Sequence, residues 1–294
     1  MRIFLTGATG FIGTAVTAQL IAAGHQVTGL TRSQQGAERL AAAGAQAHFG
    51  DLEDHDSLRR GAMLSDGIIH TAFDHDFSRF MANCEKDRLA IAAMADALQG
   101  TQRPLVITSG VAMGSAGQNR LAVEDYFNPE HQNPRKASEQ AAMAALEQGV
   151  NVSVVRLSQV HDTSKQGLIT PLIEIARQKG LSAYVGEGES RWSAVHISDA
   201  ALLYVRALEK HRPGRYHAVA EEGITLRKIA ETIGQRLNVP VVRLVPSEAA
   251  DHFGWMSHFV VQDMSASSVL TQEQLNWQPQ GPDLMTDLQQ MRLV

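Results

Sequence analysis

The sequence predicts an α/β fold in which a doubly wound parallel sheet is followed by a smaller C-terminal lobe. Short apolar strands alternate strictly with amphipathic helices through the first half of the 294-residue chain. Such alternation gives parallel strands joined by right-handed crossovers. A glycine-rich turn joins the first strand to the first helix. We therefore expect residues 1–160 to form the sheet domain and residues 161–294 to form a lobe that partly returns to the sheet.

Hydrophobic periodicity and glycine stops define the elements of the first half. In the first helix, Ile12, Val16 and Leu20 share one face, and Gly24 ends it. The predicted strands are 3–6, 26–30, 45–49, 67–71, 105–109 and 152–157. The predicted helices are 10–23, 37–43, 57–64, 81–98 and 137–148.

After residue 157 the alternation loosens. Helical periodicity covers 169–179, 198–210 and 226–237. Strand-like runs cover 183–185, 215–219 and 241–245. No internal repeat or obvious linker separates these segments, so we expect them to pack against the sheet as one lobe.

Composition and charge exclude several classes of protein. The net charge of −5 argues against a nucleic-acid partner, which normally requires a basic surface. No apolar run reaches membrane-spanning length, and the run 3–6 is too short for a signal-peptide core. Cys84 is the only cysteine, so neither an internal disulfide nor a cysteine zinc cluster can form. These features indicate a cytoplasmic protein with a small-molecule substrate and no membrane or nucleic-acid partner.

The glycine turn has the spacing of a dinucleotide-binding turn. Gly7 permits the tight bend, Gly10 lets a pyrophosphate approach the backbone, and Gly13 lets the helix pack on the strand. The phosphates would then lie at the positive helix N-terminus. The expected cofactor contacts along this turn are Gly7, Thr9, Gly10, Phe11 and Ile12. The alternative is an ordinary turn between a strand and a helix. With the alternating strands and helices, the turn indicates a Rossmann sheet.

The end of the second strand predicts which nicotinamide cofactor is bound. An acidic residue there would favour NAD(H), but this chain has Thr31, Arg32 and Ser33. Arg32 can grip a 2′-phosphate through two hydrogen bonds, so we favour NADP(H), with NAD(H) still possible. The alternative is that Arg32 is a solvated loop residue. After the third strand, Asp51 and Leu52 are expected to hold the adenine, although Asp51 could instead cap the next helix.

Together these segments resemble the extended short-chain dehydrogenase/reductase superfamily, in its NAD-dependent epimerase/dehydratase branch and most of all its atypical members. The resemblance covers nearly the whole chain. The segments that carry it are 7–13, 50–52, 68–72, 106–110, 192–201 and 275–279. Thr71, Ala72 and Thr108 lie in these segments, and we expect them to contact the cofactor as well. The resemblance also implies a homodimer formed through the alanine-rich helices 81–98 and 137–148.

The resemblance implies a catalytic Ser and a Tyr-x-x-x-Lys pair, and this chain keeps only the first. Ser109 matches the serine, while Arg135 and Glu139 stand where Tyr and Lys are expected. A guanidinium cannot give up a proton near neutral pH. Arg135 could instead bind an anionic or carbonyl oxygen. Alternatively, Arg135 and Glu139 form only a helix salt bridge.

Another proton donor is therefore needed, and histidine is the natural substitute because its pKa is near neutral. His161 follows a strand end and is expected to reach the cleft. The predicted catalytic residues are thus Ser109, Arg135 and His161. Other polar candidates are Asp74, His75, Asp76, Tyr126, Lys136, Ser158, Gln159, Tyr184, Trp192 and His196. No spacing of His, Asp and Glu resembles a metal site.

The sequence therefore predicts an NADP(H)-dependent oxidoreductase acting on a small carbonyl, imine or related compound. The missing Tyr and Lys leave one alternative, a catalytically silent sensor that binds NADP(H). They also make an epimerase or dehydratase activity a weaker hypothesis. Candidate apolar walls of the substrate site are Phe73, Met113, Tyr184, Trp192, Trp255 and Phe259. The aromatic segment 251–259 is expected to form a lid or an interface.

Overall fold

The computed structural model describes residues 1–117 and 120–292. The strands are β1 (Arg2–Thr6), β2 (Gln26–Thr31), β3 (Gln46–Phe49), β4 (Gly67–His70), β5 (Leu105–Gly110), β6 (Val152–Leu157), β7 (Gln159–His161), β8 (Ser182–Val185), β9 (Arg191–His196), β10 (Gly214–Ala218), β11 (Glu221–Thr225) and β12 (Val241–Leu244). The α-helices are α1 (Phe11–Ala22), α2 (Gln34–Ala42), α3 (His55–Met63), α4 (Phe80–Asp96), α5 (Lys136–Glu147), α6 (Ile169–Lys179), α7 (Ile197–Lys210), α8 (Leu226–Leu237), α9 (Ala249–Phe253), α10 (Val269–Leu275) and α11 (Leu284–Gln289).

Seven strands form one parallel sheet in the order β10-β6-β5-β4-β1-β2-β3. This confirms the predicted α/β fold. The chain runs outward from β1 through β2 to β3 and then returns to β4 on the other side of β1. The chain therefore leaves β1 toward one side of the sheet and leaves β4 toward the other side. Open parallel sheets bind ligands in the crevice at the carboxyl ends of two such strands.

Helices cover both faces of the seven-stranded sheet. On one face α1 packs against α7, with Leu20 and Leu203 fully buried in a core shared with β1 and β4. On the other face α4 packs between α3 and α5, around Phe4, Ile91 and Leu105. Burial of these apolar side chains stabilises the sheet and fixes where its strands end.

The C-terminal lobe contains two small sheets, β11-β9-β7 and β12-β8. Its separate core includes Trp192, Phe253 and Met256. The chain nevertheless returns to the large sheet, because β10 pairs with β6 and α7 covers one face. The hydrophobic periodicity predicts the long elements to within a few residues. It does not predict β7, β9, β11 or the short helices α9, α10 and α11.

Buried polar contacts fasten the end of the chain to α7. The Trp277 indole Nε1 donates to the Asp199 carbonyl oxygen at 3.0 Å. The Asp199 carboxylate accepts from the backbone N–H groups of Gln280 and Gly281 at 3.0 and 2.7 Å. These contacts hold the segment after α10 against the sheet domain.

Two findings concern the described ranges 1–117 and 120–292 alone. None of their helices has both the length and the apolar character needed to cross a bilayer. They also contain no group of three or more His, Cys, Asp or Glu side chains arranged to hold a metal ion.

Candidate functional site

A cavity of about 1010 Å³ opens at the carboxyl edge of the large sheet, beside β1 and β4. Its lining combines the glycine turn with the ends of β2, β4, β5 and β6 and with residues of the C-terminal lobe. All of the predicted cofactor-binding residues line it: Gly7, Thr9, Gly10, Phe11, Ile12, Arg32, Asp51, Leu52, Thr71, Ala72 and Thr108. Of the predicted catalytic residues, Ser109 and Arg135 line it.

The glycine turn is shaped by close backbone contacts. Gly7 has φ of +71°, and a Cβ there would lie 2.7 Å from the Ala72 nitrogen. A Cβ on Gly13 would collide with the Gly7 carbonyl oxygen. Gly10 is exposed to the cavity and begins α1 without a side-chain cap from the described residues. The N-terminal N–H groups of α1 therefore face open space, as a bound pyrophosphate requires.

Arg32 lies at the rim of the cavity with its side chain exposed. It makes no hydrogen bond or ion pair with any part of the chain that the structure describes. Its neighbours have structural contacts, because Ser33 caps α2 by accepting from Gly36 N at 3.1 Å, and buried Thr31 donates to the Ser33 carbonyl oxygen at 3.3 Å. Arg32 is thus free to bind a phosphate.

Asp51 and Leu52 form the neighbouring part of the rim. Asp51 Oδ1 accepts from the backbone N–H groups of Glu53 and Asp54 at 2.8 and 3.0 Å. The cap of α3 is Asp54, which accepts from Ser57 N. The alternative interpretation of Asp51 as the helix cap is therefore wrong, because the turn that Asp51 stabilises precedes the helix.

A chain of buried hydrogen bonds runs beneath the floor of the cavity. The Ala72 N–H donates to Thr6 Oγ1 at 3.3 Å, and Thr6 Oγ1 lies 2.6 Å from His70 Nδ1. His70 Nε2 donates to Asp87 Oδ1 at 2.9 Å. His70 and Asp87 are both fully buried. Because buried polar groups without partners are costly, this chain fixes α4 to the ends of β1 and β4.

Asp87 is the anion that holds Arg135 in place. Arg135 Nη1 donates to Asp87 Oδ2 at 2.7 Å and to Ser138 Oγ at 2.8 Å, and Ser138 Oγ donates to the same carboxylate oxygen at 2.6 Å. Burial would raise the pKa of Asp87, but the Arg135 guanidinium and the hydrogen bonds from His70 and Ser138 lower it to about 2. Asp87 is therefore ionised at neutral pH, and its charge compensates that of Arg135.

The remaining contacts of Arg135 orient its guanidinium toward the cavity. Nη2 donates to the Thr108 carbonyl oxygen at 3.0 Å, and the guanidinium carbon lies 4.0 Å from the centre of the Phe73 ring. Nε and the second N–H of Nη2 make no hydrogen bond with the described residues. An arginine has five donors, so Arg135 keeps donors for a ligand.

Arg135 and Glu139 do not form the helix salt bridge that their spacing allows. Glu139 is buried and accepts from Arg156 Nε and Nη2, both at 2.8 Å, and lies 3.3 Å from Arg215. The salt-bridge interpretation is therefore wrong, because each side chain has a closer partner on another element. Glu139 faces β6 and β10, whereas Arg135 faces the cavity.

Ser109 ends β5 next to Thr108. Its hydroxyl oxygen is buried and has no hydrogen-bond partner among the described residues, although Ser109 lines the cavity. By contrast, the Thr108 hydroxyl donates to the His70 carbonyl oxygen at 2.7 Å and lies 2.6 Å from the Tyr204 hydroxyl. A buried hydroxyl without a partner indicates a ligand atom that completes its hydrogen bonding.

His161 does not reach the cavity, contrary to the expectation that it would replace the tyrosine. Its ring is fully buried, and Nδ1 lies 2.7 Å from Asp287 Oδ2 on α11. The reason is that residues 159–161 form β7, whose pairing with β9 turns His161 into the lobe beside His196. His75 is the imidazole that lines the cavity, and burial together with the Arg135 charge lowers its pKa.

The other candidate residues divide between the cavity and the cores. Asp74, Ser158, Gln159, Phe73 and Phe259 line the cavity. Met113 and Trp192 are core residues with 1% and 0% exposure, so their expected role as cavity walls is wrong. Tyr184 packs in the lobe near Arg227. Periodicity and spacing miss Asp87 because it lies in the middle of a helix with no local signal of a partner.

Comparisons with known proteins agree with this geometry. The family described as the NAD dependent epimerase/dehydratase family matches residues 3–219. This chain belongs to that family. It is 46% identical over 290 residues to an uncharacterized protein of Schizosaccharomyces pombe, covering 98% of each chain.

More distant similarity is to proteins whose names state an activity. A 4-hydroxy-2-methyl-3-oxo-4-farnesyl-3,4-dihydroquinoline-1-oxide ketoreductase of Stigmatella aurantiaca is 27% identical over 86% of this chain and 80% of its own length. The solved UDP-glucose 4-epimerase of Thermotoga maritima superposes with a TM-score of 0.75 at 18% identity, over 99% of this chain and 97% of that one, which shows the shared fold. Together these likenesses support a nicotinamide cofactor and an oxidoreductase-like role.

Proposed function

We propose that this chain is an NADP(H)-dependent reductase of a small carbonyl, imine or related compound, and that Ser109 and Arg135 bind the oxygen or nitrogen that is reduced. The observation that carries the proposal is the buried, unpartnered Ser109 hydroxyl in a cavity that Arg135 also lines. The Arg135 guanidinium is held by Asp87 and the Thr108 carbonyl, with donors left over. Such a pair can polarise a carbonyl group and stabilise the negative charge that develops on its oxygen.

The residues at the cofactor end of the cavity fit a dinucleotide. Gly10, exposed at the uncapped start of α1, would leave room for a pyrophosphate, and Arg32, which has no partner among the described residues, would bind a 2′-phosphate. Asp51 and Leu52 border the place expected for the adenine. When bound, NADPH supplies the hydride. The chain's own residues orient the acceptor group and stabilise the oxyanion.

The proton that completes the reduction cannot come from Arg135, because a guanidinium stays protonated in proteins. Tyr204 is no substitute either, because it is fully buried, its hydroxyl is bound to Thr108, and burial raises its pKa. We propose that water in the open cavity delivers the proton to the substrate oxygen, with His75, which lines the same cavity, as a titratable relay. The distant relative named as a ketoreductase is consistent with carbonyl reduction.

The test follows NADPH consumption by the purified protein across a panel of aldehydes, ketones and imines. For any substrate that is turned over, Ser109→Ala should lower kcat/KM about 10²-fold, the cost of losing one oxyanion donor. Ser158→Ala is the matched control, since Ser158 also lines the cavity but already donates to the Ala218 carbonyl oxygen at 2.6 Å. No consumption across the panel, or equal losses in both variants, would contradict the proposal.

The second candidate function is a sensor that binds NADP(H) without turnover. The observation that favours it is Arg135 in the position where the resembling superfamily has a proton-donating tyrosine. Tight NADPH binding measured by calorimetry, together with no turnover of the panel, would support the sensor. Measurable turnover would exclude it.

The remaining parts of the proposal concern assembly and location. We propose a homodimer formed through α4 and α5, whose outer faces expose Met81, Leu89 and Leu146. Light scattering of the purified protein would give the mass directly. We also propose a cytoplasmic location, consistent with the single buried cysteine, Cys84.

A further inference from the structure

We propose that the substrate of this reductase carries a flat aromatic ring next to its carbonyl group, and that Phe73, Phe77, Phe80 and Phe259 bind this ring. We call these four residues the aromatic wall. The inference rests on the proposed function, since it names the substrate class of the same site. All four line the cavity and are only partly buried, so their rings have faces or edges left for a ligand.

The aromatic wall is continuous. The Phe73 and Phe80 ring centres are 6.1 Å apart with the rings at 73°, and those of Phe77 and Phe80 are 5.5 Å apart. Phe77 then meets Phe259 edge to face at 6.3 Å. These are the spacings and angles at which aromatic rings attract one another. A ring of the substrate would extend an arrangement that already exists.

The aromatic wall begins at the group proposed to bind the carbonyl oxygen. The Arg135 guanidinium lies over the Phe73 ring, 4.0 Å from its centre. A substrate oxygen held by Ser109 and Arg135 therefore places the atoms attached to the carbonyl carbon beside Phe73. An aromatic aldehyde or ketone satisfies both parts of the site, because its polar group and its ring are adjacent.

The charges near the aromatic wall favour an uncharged substrate. The positive charge of Arg135 is compensated by buried Asp87. Glu174 also lines the cavity and would repel a diphosphate. Lys165 lies toward the glycine turn, 5.9 Å from the centre of the Phe11 ring. Among the described residues that line the cavity, Lys86 is the remaining cation near the wall, and it is already paired with Asp74 and Glu53 at 3.4 and 3.6 Å, so it offers a sugar nucleotide no free charge.

The two lobes build the wall together. Phe77 comes from the segment after β4, and Trp255 from the C-terminal lobe stacks on it at 4.8 Å with the rings 19° from parallel. Trp255 is 49% exposed, whereas Trp192 and Trp277 are fully buried. Trp255 therefore supports Phe77 from outside the cavity, and its fluorescence should report on what Phe77 contacts.

The experiment compares benzaldehyde with cyclohexanecarbaldehyde, which has a saturated ring of the same size, as substrates with NADPH. The readout is the ratio of the two kcat/KM values in the Phe77→Leu variant relative to the unchanged protein, because intrinsic reactivity cancels. We expect the ratio to shift about 3- to 10-fold against benzaldehyde, which corresponds to the loss of the stabilisation that one aromatic pair contributes. Leu64→Ala, an exposed apolar residue after α3 at the opposite edge of the sheet, should leave the ratio unchanged.

A second measurement does not depend on turnover. Benzyl alcohol and cyclohexylmethanol are titrated into the NADPH-bound protein while Trp255 fluorescence is followed, with Trp255→Phe as the control that removes the signal. Benzyl alcohol should bind more tightly, and Phe77→Leu should abolish the difference. If neither aldehyde is reduced, the alcohol titration alone decides whether the aromatic wall binds a ring, while the panel of aldehydes, ketones and imines decides separately on the reductase function.

The inference is overturned if the aldehydes are reduced but Phe77→Leu leaves the ratio unchanged and the two alcohols bind equally. It is also overturned if UDP-glucose displaces benzyl alcohol at lower concentrations than benzyl alcohol itself requires, since the site would then prefer a sugar nucleotide.

Discussion

Arg135 stands where the superfamily that this chain resembles has a tyrosine. A guanidinium cannot donate the proton that the tyrosine would supply, so this one residue limits the chemistry of the site. The sequence places Arg135 in that position, but local spacing suggests Glu139 as its partner. The partner in the structure is Asp87, 48 residues away in the chain. Contacts between distant segments depend on how helices pack on the sheet, so no sequence pattern predicts this pair. By contrast, the sequence predicts which residues of the glycine turn line the cavity, because a short local motif determines their positions.

Replacement of Arg135 by lysine should separate its charge from its geometry. Arg135→Lys keeps a cation beside Asp87 but loses the planar fork that also reaches the Thr108 carbonyl oxygen and that we propose binds the substrate oxygen. We expect kcat/KM for carbonyl reduction to fall about 10²-fold, with thermal stability less affected than in Arg135→Ala, which removes the guanidinium that compensates the charge of buried Asp87. Steady-state kinetics and thermal unfolding measure the two effects. Lys136→Ala, the adjacent cation outside the cavity, should change neither; an equal loss there would contradict the assignment.

Arg32 should decide the choice between cofactors. Arg32→Ala removes a charged donor to the 2′-phosphate, so the affinity for NADPH should fall about 10- to 100-fold while that for NADH stays the same. Calorimetric titration of both cofactors measures the ratio. Arg39→Ala on α2, where Arg39 donates to exposed Gln35 at 3.0 Å, is the control. An unchanged NADPH/NADH ratio in Arg32→Ala would show that Arg32 is a solvated loop residue.

Among the elements, the turn that joins β1 to α1 is predicted most directly by the sequence. Hydrophobic periodicity predicts long helices and buried strands well, because each signal is repeated several times. The strands β7 and β11 have three and five residues, and their pairing with β9 joins distant segments of the chain. That pairing is the reason His161 faces Asp287 and not the cavity. Because the sequence pattern does not predict β7, it also wrongly predicts that His161 lines the cavity.

Gly13→Ala should disturb the cofactor-binding turn more than the helix itself. The added Cβ would collide with the Gly7 carbonyl oxygen, so α1 must move away from β1. We expect a loss of about 1–3 kcal/mol in stability, typical of overpacking, with weaker NADPH binding. Gly24→Ala at the other end of α1 is the matched control: it has φ of +82° and no described atom within 4 Å of an added Cβ. It should lose stability but bind NADPH normally, as measured by denaturant unfolding and calorimetry.

At the scale of the whole molecule, buried imidazoles make stability depend on pH. His217 on β10 is fully buried between Arg156 and the Ser267 carbonyl oxygen, at 3.2 and 2.8 Å. Burial and then the charge of Arg156 lower the pKa of His217 to about 3. Burial lowers the pKa of His161 as well. The unfolded chain therefore binds protons that the folded protein excludes, and acid favours unfolding.

His217 should cost the protein about 2 kcal/mol of stability between about pH 6.5 and about pH 5. The sign follows from the lowered pKa: stability is full above the unfolded value and falls as pH drops below it. Urea unfolding at several pH values gives the slope, which should be shallower in His217→Gln even if that variant is less stable overall. Exposed His211→Asn should keep the original slope. Parallel slopes in the two variants would mean that His217 does not titrate on unfolding.

The strand order of the large sheet also constrains how the protein is made. Residues 214–218 form β10, which lies at the edge of the large sheet beside β6, and Phe259 and Met264 complete the lining of the cavity. A nascent chain that has left the ribosome only as far as residue 160 has an unpaired β6 edge and lacks the part of the cavity lining that the C-terminal lobe contributes. During synthesis the β6 edge stays unpaired until residues 214–218 have left the ribosome. A ligand that contacts both lobes of the cavity can therefore stabilise the molecule fully only after translation has passed Met264.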